Sequence, residues 1–332
     1  MKSNLNCTFS EIGAVLVERS RFLVLSHIRP DGDAIGWCLA MALCLRALGK
    51  DVTVWNEDGL PERFRFLPES GMVGRPPTTP VGFDVVLVLD TAVRNRAGEN
   101  CLAAVAPGAL WINIDHHISN DRKGNLVYVD AEAPAAAQIL FELFEHCSLP
   151  VNSAMAQALY TGISTDTGSF QYSSTTARTY EIAAALVRCG VAPGEINTQL
   201  YQTSPRRRLE LKRELLNMLR FSAGDRVASF ALPAETVRRL GTIPDDTEGL
   251  IDTLREVEGV VVAAFFEELE AGVVRISLRS KDPSVNVCAI CAEYGGGGHT
   301  MAAGARIPGE MAAVQEKVLA SIARQLPEAA AL

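Results

Sequence analysis

Residues 22–49, FLVLSHIRPDGDAIGWCLAMALCLRALG, decide the fold class of this chain. Residues 22–28 are almost entirely apolar and predict a buried strand, and residues 34–48 predict a helix that ends at Gly49. A buried strand followed at once by a helix is the unit from which parallel sheets covered on both faces are built. The loop between the strand and the helix carries polar residues, so it is the first candidate for a functional site.

The same alternation continues along the first two hundred residues. Further strands are predicted at 52–55, 84–89 and 110–114, and helices at 135–146, 153–164 and 176–189. We therefore predict an α/β first domain, residues 1–203, with a Rossmann-like parallel sheet.

The pattern changes after Ser204-Pro205. Residues 206–220 predict a charged, amphipathic helix, and the strands that follow lie close together in the chain, at 226–231, 260–267 and 273–279. The last two are separated by a short turn that contains Gly272, which is typical of a hairpin. We predict a helical linker at 204–222 and a smaller α/β domain with a mixed sheet at 223–332.

Composition limits the classes of partner. The 332 residues carry a formal net charge of −8, whereas a protein that coats long nucleic acid is usually basic. An anionic substrate would need a local basic patch or a metal. Eight cysteines follow no regular spacing, and we see neither a secretory leader nor an apolar run of about 18 residues. These features predict a cytoplasmic protein without membrane contact.

Four clusters of polar residues follow predicted strands or lie in loops. They comprise His27, Asp31 and Asp33, then Asp90, then Asp115, His116 and His117, and finally Asp166. Three of the clusters lie at carboxyl ends of predicted parallel strands, where ligands bind in open α/β sheets. We therefore expect the clusters to meet in one crevice.

Six of these side chains form a set of imidazoles and carboxylates without a thiolate: His27, Asp31, Asp33, Asp90, His116 and Asp166. Such a set suits Mn²⁺ or Mg²⁺ better than a structural zinc, and it suffices for two ions that share a carboxylate. Taken singly, each cluster has a structural alternative. Asp90 would serve as a helix cap, Asp31-Gly-Asp33 as a turn, and the histidine pair as one core and one exposed residue.

The second domain has its own candidates for anion binding. Consecutive glycines, among them Gly296, Gly297 and Gly298 before His299, would let backbone N–H groups approach a phosphate. Arg279 closes a predicted strand and would grip a phosphate with two hydrogen bonds. The alternatives are a flexible loop for the glycines and a solvated strand end for Arg279.

The ordered motifs resemble a known family. HIRPDGDAIG, VLVLD, IDHH and STDTGSF are similar to the four successive motifs of the DHH phosphoesterase superfamily, and ISLRSKDPSVNVCAICAEYGGGGHTMAAGA resembles the DHHA1 domain that follows it. The resemblance spans roughly residues 10 to 310 and is strongest to the short oligoribonucleases that also act as phosphatases on 3′-phosphoadenosine-5′-phosphate (pAp), the nanoRNases. One departure is Ser169, which stands where related enzymes often carry arginine.

The resemblance implies roles for individual residues. It implies that His27, Asp31 and Asp90 bind one Mn²⁺ and that Asp33, Asp90, His116 and Asp166 bind another, with Mg²⁺ or Co²⁺ as substitutes. It further implies that Asp115 orients a histidine, that His117 faces the scissile phosphate or the leaving oxygen, and that a hydroxide between the metals attacks phosphorus. The facing domain would hold the terminal phosphate or nucleotide through Arg279, Gly296, Gly297, Gly298 and His299.

The expected function is therefore hydrolysis of very short RNA, of two to five nucleotides, to mononucleotides, together with conversion of pAp to AMP. An alternative within the same chemistry is a phosphodiesterase for pApA, the linear form of di-AMP. A nucleotide-binding protein without turnover is a less favoured alternative, because every ligand position is filled. The family also implies a homodimer.

Overall fold

The computed structural model describes residues 6–269 and 272–327. The chain forms two compact units, Met1–Thr203 and Ser204–Leu332. The outer ends of the two predicted domains, and residues 270 and 271 of the predicted hairpin turn, lie outside the described residues. No helix within the described ranges is long and apolar enough to span a bilayer.

The first unit is built on a six-stranded, fully parallel sheet, as predicted. Its strands are β1 (Arg21–Leu25), β2 (Asp51–Trp55), β3 (Val73–Gly74), β4 (Val85–Leu89), β5 (Leu110–Asp115) and β6 (Leu126–Val129), in the spatial order β3-β2-β1-β4-β5-β6. Strand β4 is buried over its whole length, because both faces of the sheet are covered. The short strands β3 and β6 at the edges were not predicted.

Helices cover both faces of this sheet: α1 (Phe9–Glu18), α2 (Gly32–Ala47), α3 (Glu99–Ala103), α4 (Ala136–His146), α5 (Ser153–Asp166), α6 (Ala177–Arg188) and α7 (Pro193–Asn197). Phe22 and Val24 of β1 join one hydrophobic core, and Leu23 and Leu25 join the core on the opposite face. Helix α1 was not predicted, although Thr8 and Glu11 form a capping box at its start.

Helix α2 is buried on all sides and packs closely against α5. The contact depends on Gly36, since a Cβ atom there would lie 2.3 Å from the carbonyl oxygen of Ala158. The first turn of α2 and the last turn of α5 both carry candidate site residues, so this close packing matters for the site.

The second unit has a mixed sheet, as predicted, and its six strands, three more than predicted, have the order β11-β12-β10-β9-β8-β7. Its strands are β7 (Arg220–Ser222), β8 (Val227–Leu232), β9 (Val262–Leu269), β10 (Val273–Ser280), β11 (Gly297–His299) and β12 (Ala302–Pro308). Among the described strands of this sheet, β8 and β9 pair in parallel and the other neighbours are antiparallel. Its helices are α8 (Arg206–Asn217), α9 (Ala234–Leu240), α10 (Asp252–Arg255), α11 (Val287–Ala292) and α12 (Met311–Gln325).

Helix α8 forms where the linker helix was predicted, and the structure shows what it packs on. Leu211 and Leu215 are fully buried in a core that also contains Phe230 of β8. Arg207 forms an ion pair of 2.7 Å with Asp246, which also belongs to the second unit. Arg207 is therefore not part of a fully solvated face, because the buried carboxylate of Asp246 holds it.

The glycine run forms a strand instead of an open loop. Gly297, Gly298 and His299 pair with β12, and Gly298 has a φ of 143°. A Cβ atom on Gly298 would lie 2.5 Å from the carbonyl oxygen of Ala302. The glycines are thus explained first by the tight contact between β11 and β12.

Candidate metal centre

The four polar clusters of the first unit meet at one edge of its sheet. His27 follows β1, Asp90 follows β4, and Asp115 ends β5 directly before the two histidines. Because β1, β4 and β5 are neighbours in the sheet, their carboxyl ends lie side by side. Asp166 reaches the same place as the last residue of α5.

Helix N-termini fix two of the aspartates. Asp31 caps α2, where its Oδ1 accepts a hydrogen bond of 3.0 Å from the N–H of Ala34. Asp33 lies in the first turn of α2 and accepts from the N–H groups of Ala136 and Ala137, at 2.6 and 2.9 Å, at the start of α4. A helix N-terminus stabilises a carboxylate. Asp31-Gly-Asp33 is therefore the start of a helix, and the turn alternative was wrong.

Asp90 is the central carboxylate. Its backbone is left-handed, with a φ of 51°, and the residue is 1% exposed. The helix-cap alternative was wrong, because the next helical segment, Arg94–Ala97, begins from Val93 without a side-chain cap. Asp90 Oδ1 is buried and accepts no hydrogen bond from any residue that the structure describes. A buried carboxylate oxygen without a donor is costly unless a cation binds it.

Both buried histidines present the same ring nitrogen to the carboxylates. Nδ1 of His27 lies 2.8 Å from the carbonyl oxygen of Ile28, and Nδ1 of His116 lies 3.1 Å from that of Ala133. A carbonyl only accepts hydrogen bonds, so each Nδ1 carries a proton, whether the ring is neutral or charged. Each Nε2 is left to face the aspartates, which is the arrangement of a metal-binding imidazole.

The ligand atoms fall into two groups, each within 4.8 Å: His27, Asp31 and Asp90, and Asp33, His116 and Asp166. Nε2 of His27 lies 3.5 Å from Oδ2 of Asp90, while Nε2 of His116 lies 3.4 Å from Oδ1 of the same carboxylate. Asp90 therefore borders both groups. The structure brings together all six residues predicted as ligands.

The buried carboxylates of the two ligand groups differ in pKa. Burial is the largest cause, and neighbouring carboxylates add to it, so the pKa values of Asp33 and Asp166 lie well above their usual range. At Asp90 burial acts in the same direction, but the facing imidazoles of His116 and His27 outweigh it and hold the pKa well below the usual range.

The imidazoles show the complementary shift. Burial and the charge of Arg96 lower the pKa of His27, but Asp31 and Asp90 outweigh them and raise it to about 10. Burial likewise opposes the shift of His116, yet Asp90 and Asp166 raise its pKa well above the usual range. The buried groups thus retain protons to offset the carboxylates. Four carboxylates match the charge of two divalent cations, so the donor set fits a two-metal centre.

Asp115 holds the second histidine of the pair. Its carboxylate is fully buried and accepts from the N–H of His116 at 2.8 Å, from Nδ2 of Asn120 at 2.5 Å and from Nδ1 of His117 at 2.8 Å. The ring of His117 is 13% exposed. The alternative of one core and one exposed histidine was therefore wrong, since both lie at the centre.

In the second unit the register of the sheet aligns two of the predicted anion-binding residues. Arg279 of β10 and His299 of β11 both pair with Ala302 of β12, which lies between them. Directly paired residues share a face of a sheet, so Arg279 and His299 lie on one face, two strand spacings apart. The opposite face of β10 is buried under α11 and α12.

Sequence reasoning missed two residues near the centre. Asn120 bonds to Asp115, and Arg96 lies near His27, where its carbonyl oxygen accepts a hydrogen bond of 2.6 Å from the N–H of Ile28. Arg96 is half-buried, and its guanidinium has no ion pair among the described residues. The position of Arg96 in the loop after β4, close to Asp90 in sequence, could have identified it.

Family comparison covers both units. Residues 21–163 match the N-terminal domain of the DHH family, and residues 227–327 match the DHHA1 domain. The bifunctional oligoribonuclease and PAP phosphatase NrnA of Thermus thermophilus is 34% identical over 309 residues, which are 92% of this chain and 90% of that protein. The protein of the same name from Bacillus subtilis is 30% identical over 316 residues, 92% of this chain and 93% of that one.

Solved structures show the same fold. An exopolyphosphatase-related protein from Bacteroides fragilis has a TM-score of 0.85 at 24% identity, covering 96% of this chain and 95% of that one. RecJ of Thermus thermophilus, solved in complex with Mn²⁺, has a TM-score of 0.54 at 18% identity and covers 96% of this chain but 55% of that one.

Proposed function

The chain belongs to the DHH family and carries a DHHA1 domain, and from that membership we propose that it is a two-metal, Mn²⁺-dependent hydrolase of very short oligoribonucleotides and of pAp. The family and its relatives indicate a hydrolase that acts on phosphoester bonds. The number of metal ions, the metal and the range of substrates are the proposal.

One observation carries the two-metal part of this proposal. Asp90 is buried, it borders both ligand groups, and its Oδ1 accepts no hydrogen bond from a described residue. His27, Asp31 and Asp90 would hold one cation, and Asp33, Asp90, His116 and Asp166 the other. When bound, such cations polarise the phosphoester and acidify the attacking water.

Side chains of the protein would supply the proton for the leaving group and bind the phosphates. Asp115 accepts the Nδ1 proton of His117, which leaves Nε2 to face the substrate and hold a proton for the leaving oxygen. Arg96 would bind a phosphoryl oxygen, since its half-buried guanidinium has no carboxylate partner among the described residues. Arg279, Gly296, Gly297, Gly298 and His299 would bind the terminal phosphate of the substrate.

The net charge of the chain and the names of its relatives both support a preference for short substrates. A chain with a net charge of −8 lacks the extended basic surface that binds long strands through counterion release. The NrnA relatives are named as oligoribonucleases and PAP phosphatases. We also expect a homodimer, which sedimentation analysis would test.

The deciding experiment measures Mn²⁺-dependent phosphate release from pAp and cleavage of a 5′-labelled RNA ladder of two to twenty-four nucleotides. We expect phosphate from pAp, and cleavage of the shortest RNAs much faster than of the longest. Equal rates along the ladder would refute the preference for short RNA. Activity on pApA or a trinucleotide without activity on pAp would support the proposed phosphodiesterase activity and refute the proposed phosphatase activity. Metal binding without activity on any substrate would favour the nucleotide-binding alternative.

A further inference from the structure

Five aromatic side chains lie near the end of α5, and together they are called the aromatic surface here: Tyr160, which is buried, Phe170, Tyr172, Tyr180 and Tyr201. The ring of Phe170 lies 5.7 Å from that of Tyr160 and 5.6 Å from that of Tyr180, the latter nearly parallel at 24°. The Tyr201 hydroxyl donates to the carbonyl oxygen of Ser164 at 2.9 Å, in the last turn of α5.

Two of these rings are exposed yet held in place. Tyr180 is 56% exposed and Tyr201 is 46% exposed. The Tyr180 hydroxyl donates to the carbonyl oxygen of Phe170, so each tyrosine is fixed at its polar end. Large rings are normally covered, and rigid exposed ones are typical of a binding surface.

The turn that presents Phe170 is strained. Gly168, Ser169 and Phe170 are three consecutive residues in the left-handed region, with φ of 56°, 60° and 64°. This conformation is unfavourable for a residue as bulky as phenylalanine. Hydrogen bonds hold it, among them Ser169 N–H to the carbonyl oxygen of Ser164 at 2.7 Å and Phe170 N–H to Oγ1 of Thr167 at 2.9 Å. Strain retained in this way is common at functional sites.

This turn lies directly beside the candidate metal centre. Asp166 is the last residue of α5, and Thr167 alone separates it from the left-handed turn. The Tyr201 hydroxyl bonds to Ser164, two residues before Asp166, so a ligand on this ring would lie near a phosphate at that centre.

The local charges favour a flat, neutral group as the ligand. Arg178, two residues before Tyr180, forms ion pairs with three carboxylates, those of Glu142, Glu145 and Glu181. Arg178 is therefore not available to bind an anion, and the exposed ring faces remain as the binding surface here. Bases stack on such faces, and they do so with little regard to sequence.

We propose that the aromatic surface stacks a nucleobase of the substrate while the adjoining phosphate lies at the candidate metal centre. This inference rests on the proposed function, since it identifies how the nucleoside part of that substrate is bound. It predicts that the affinity for a nucleotide depends on the presence of a base but not on which base it is.

The test compares Tyr180→Leu and Tyr201→Leu with the matched controls Tyr180→Phe and Tyr201→Phe, which keep the ring and remove the hydroxyl. Equilibrium binding is measured with an adenine dinucleotide joined by an uncleavable methylene phosphonate, and with the same molecule lacking both bases. We expect the leucine variants to bind the complete dinucleotide about five-fold to a hundred-fold more weakly. The phenylalanine variants keep the ring but lose the hydrogen bond that fixes it, so they should bind the dinucleotide more tightly than the leucine variants do, and the baseless ligand should bind equally to all.

The proposal is overturned if the leucine variants bind the complete dinucleotide as the wild type does, or if they lose affinity for both ligands equally. Unchanged binding with an altered sedimentation coefficient would assign these rings to contact with a second copy and also overturn it. Because binding is measured without turnover, a wild type that hydrolyses nothing would refute the proposed function and leave the stacking result decisive. Circular dichroism shows whether each variant folds.

Discussion

At the scale of the residue, Asp90 is the side chain on which the site depends most. It is buried, its backbone is left-handed, and it lies within 3.5 Å of both Nε2 atoms, those of His27 and His116. A single carboxylate in this position could be shared by two neighbouring cations.

Replacing Asp90 with asparagine tests this role. The Asp90→Asn variant keeps the shape and removes one of four negative charges, so we expect at least about a hundred-fold loss of hydrolysis with the fold retained. Phosphate release and circular dichroism are the measurements. The control Asp51→Asn changes an exposed aspartate on β2 and should leave activity unaltered. An active Asp90→Asn enzyme would disprove the shared position.

Metal binding should release protons, because the folded protein without metal retains them at the centre. The pKa of His27 is raised to about 10, and those of Asp33 and Asp166 lie well above their usual range. A metal requires the deprotonated ligands, so affinity for Mn²⁺ should rise with pH. Calorimetry in two buffers of different ionisation enthalpy should show net proton release near neutral pH. An identical heat in both buffers would contradict this.

Stability of the protein without metal should depend on the same protons. His27 has an ordinary pKa of 6.5 and a folded value of about 10, so its contribution is fully present below pH 6.5 and is lost as the pH rises towards 10. Thermal unfolding from pH 6 to pH 10 should show a falling Tm without metal and a smaller fall with Mn²⁺. A Tm of the metal-free protein that does not fall over this interval would refute the contribution.

At the scale of the element, the contact between α2 and α5 brings the two halves of one ligand group together. Asp33 lies in the first turn of α2, and Asp166 ends α5. Both helices were predicted from periodicity with ends within about two residues. In the second unit, the left-handed Gly249 separates the 3₁₀ turn Pro244–Thr247 from α10, so this stretch forms two short helical pieces.

Gly36→Ala should push α2 and α5 apart. The added Cβ would lie 2.3 Å from the carbonyl oxygen of Ala158, and overpacking of this kind costs about 1–3 kcal/mol in the free energy of unfolding. Activity should fall as well, since Asp33 moves relative to Asp166. Urea denaturation and phosphate release measure the two effects. Gly194→Ala is the control, because an added Cβ there meets no atom within 4 Å.

At the scale of the whole molecule, the candidate metal ligands all belong to the first compact unit, Met1–Thr203, which has its own sheet and core. We expect a fragment of residues 1–203 to fold and to release protons when it binds Mn²⁺, as the full chain does. Circular dichroism and the same two-buffer calorimetry test this. A folded fragment that fails to bind Mn²⁺ would show that the second unit contributes to the metal centre.

The sequence alone predicted the parallel α/β class and the six candidate ligands, from apolar runs, helical periodicity and polar residues directly after a strand. Its resemblance to the DHH family rests on the order of its short motifs. They are accessible because residues near in sequence share the same strand end or helix turn.

Tertiary structure alone decided which groups those residues face. Asp33 is bound by α4, more than a hundred residues away, and the protonated Nδ1 of His116 is set by Ala133. The rings of Phe170 and Tyr180, and the contact of Tyr201 with α5, likewise join separate segments. Such contacts depend on how distant segments pack, which no local pattern records, and packing therefore determined the charge balance of the centre and the surface beside it.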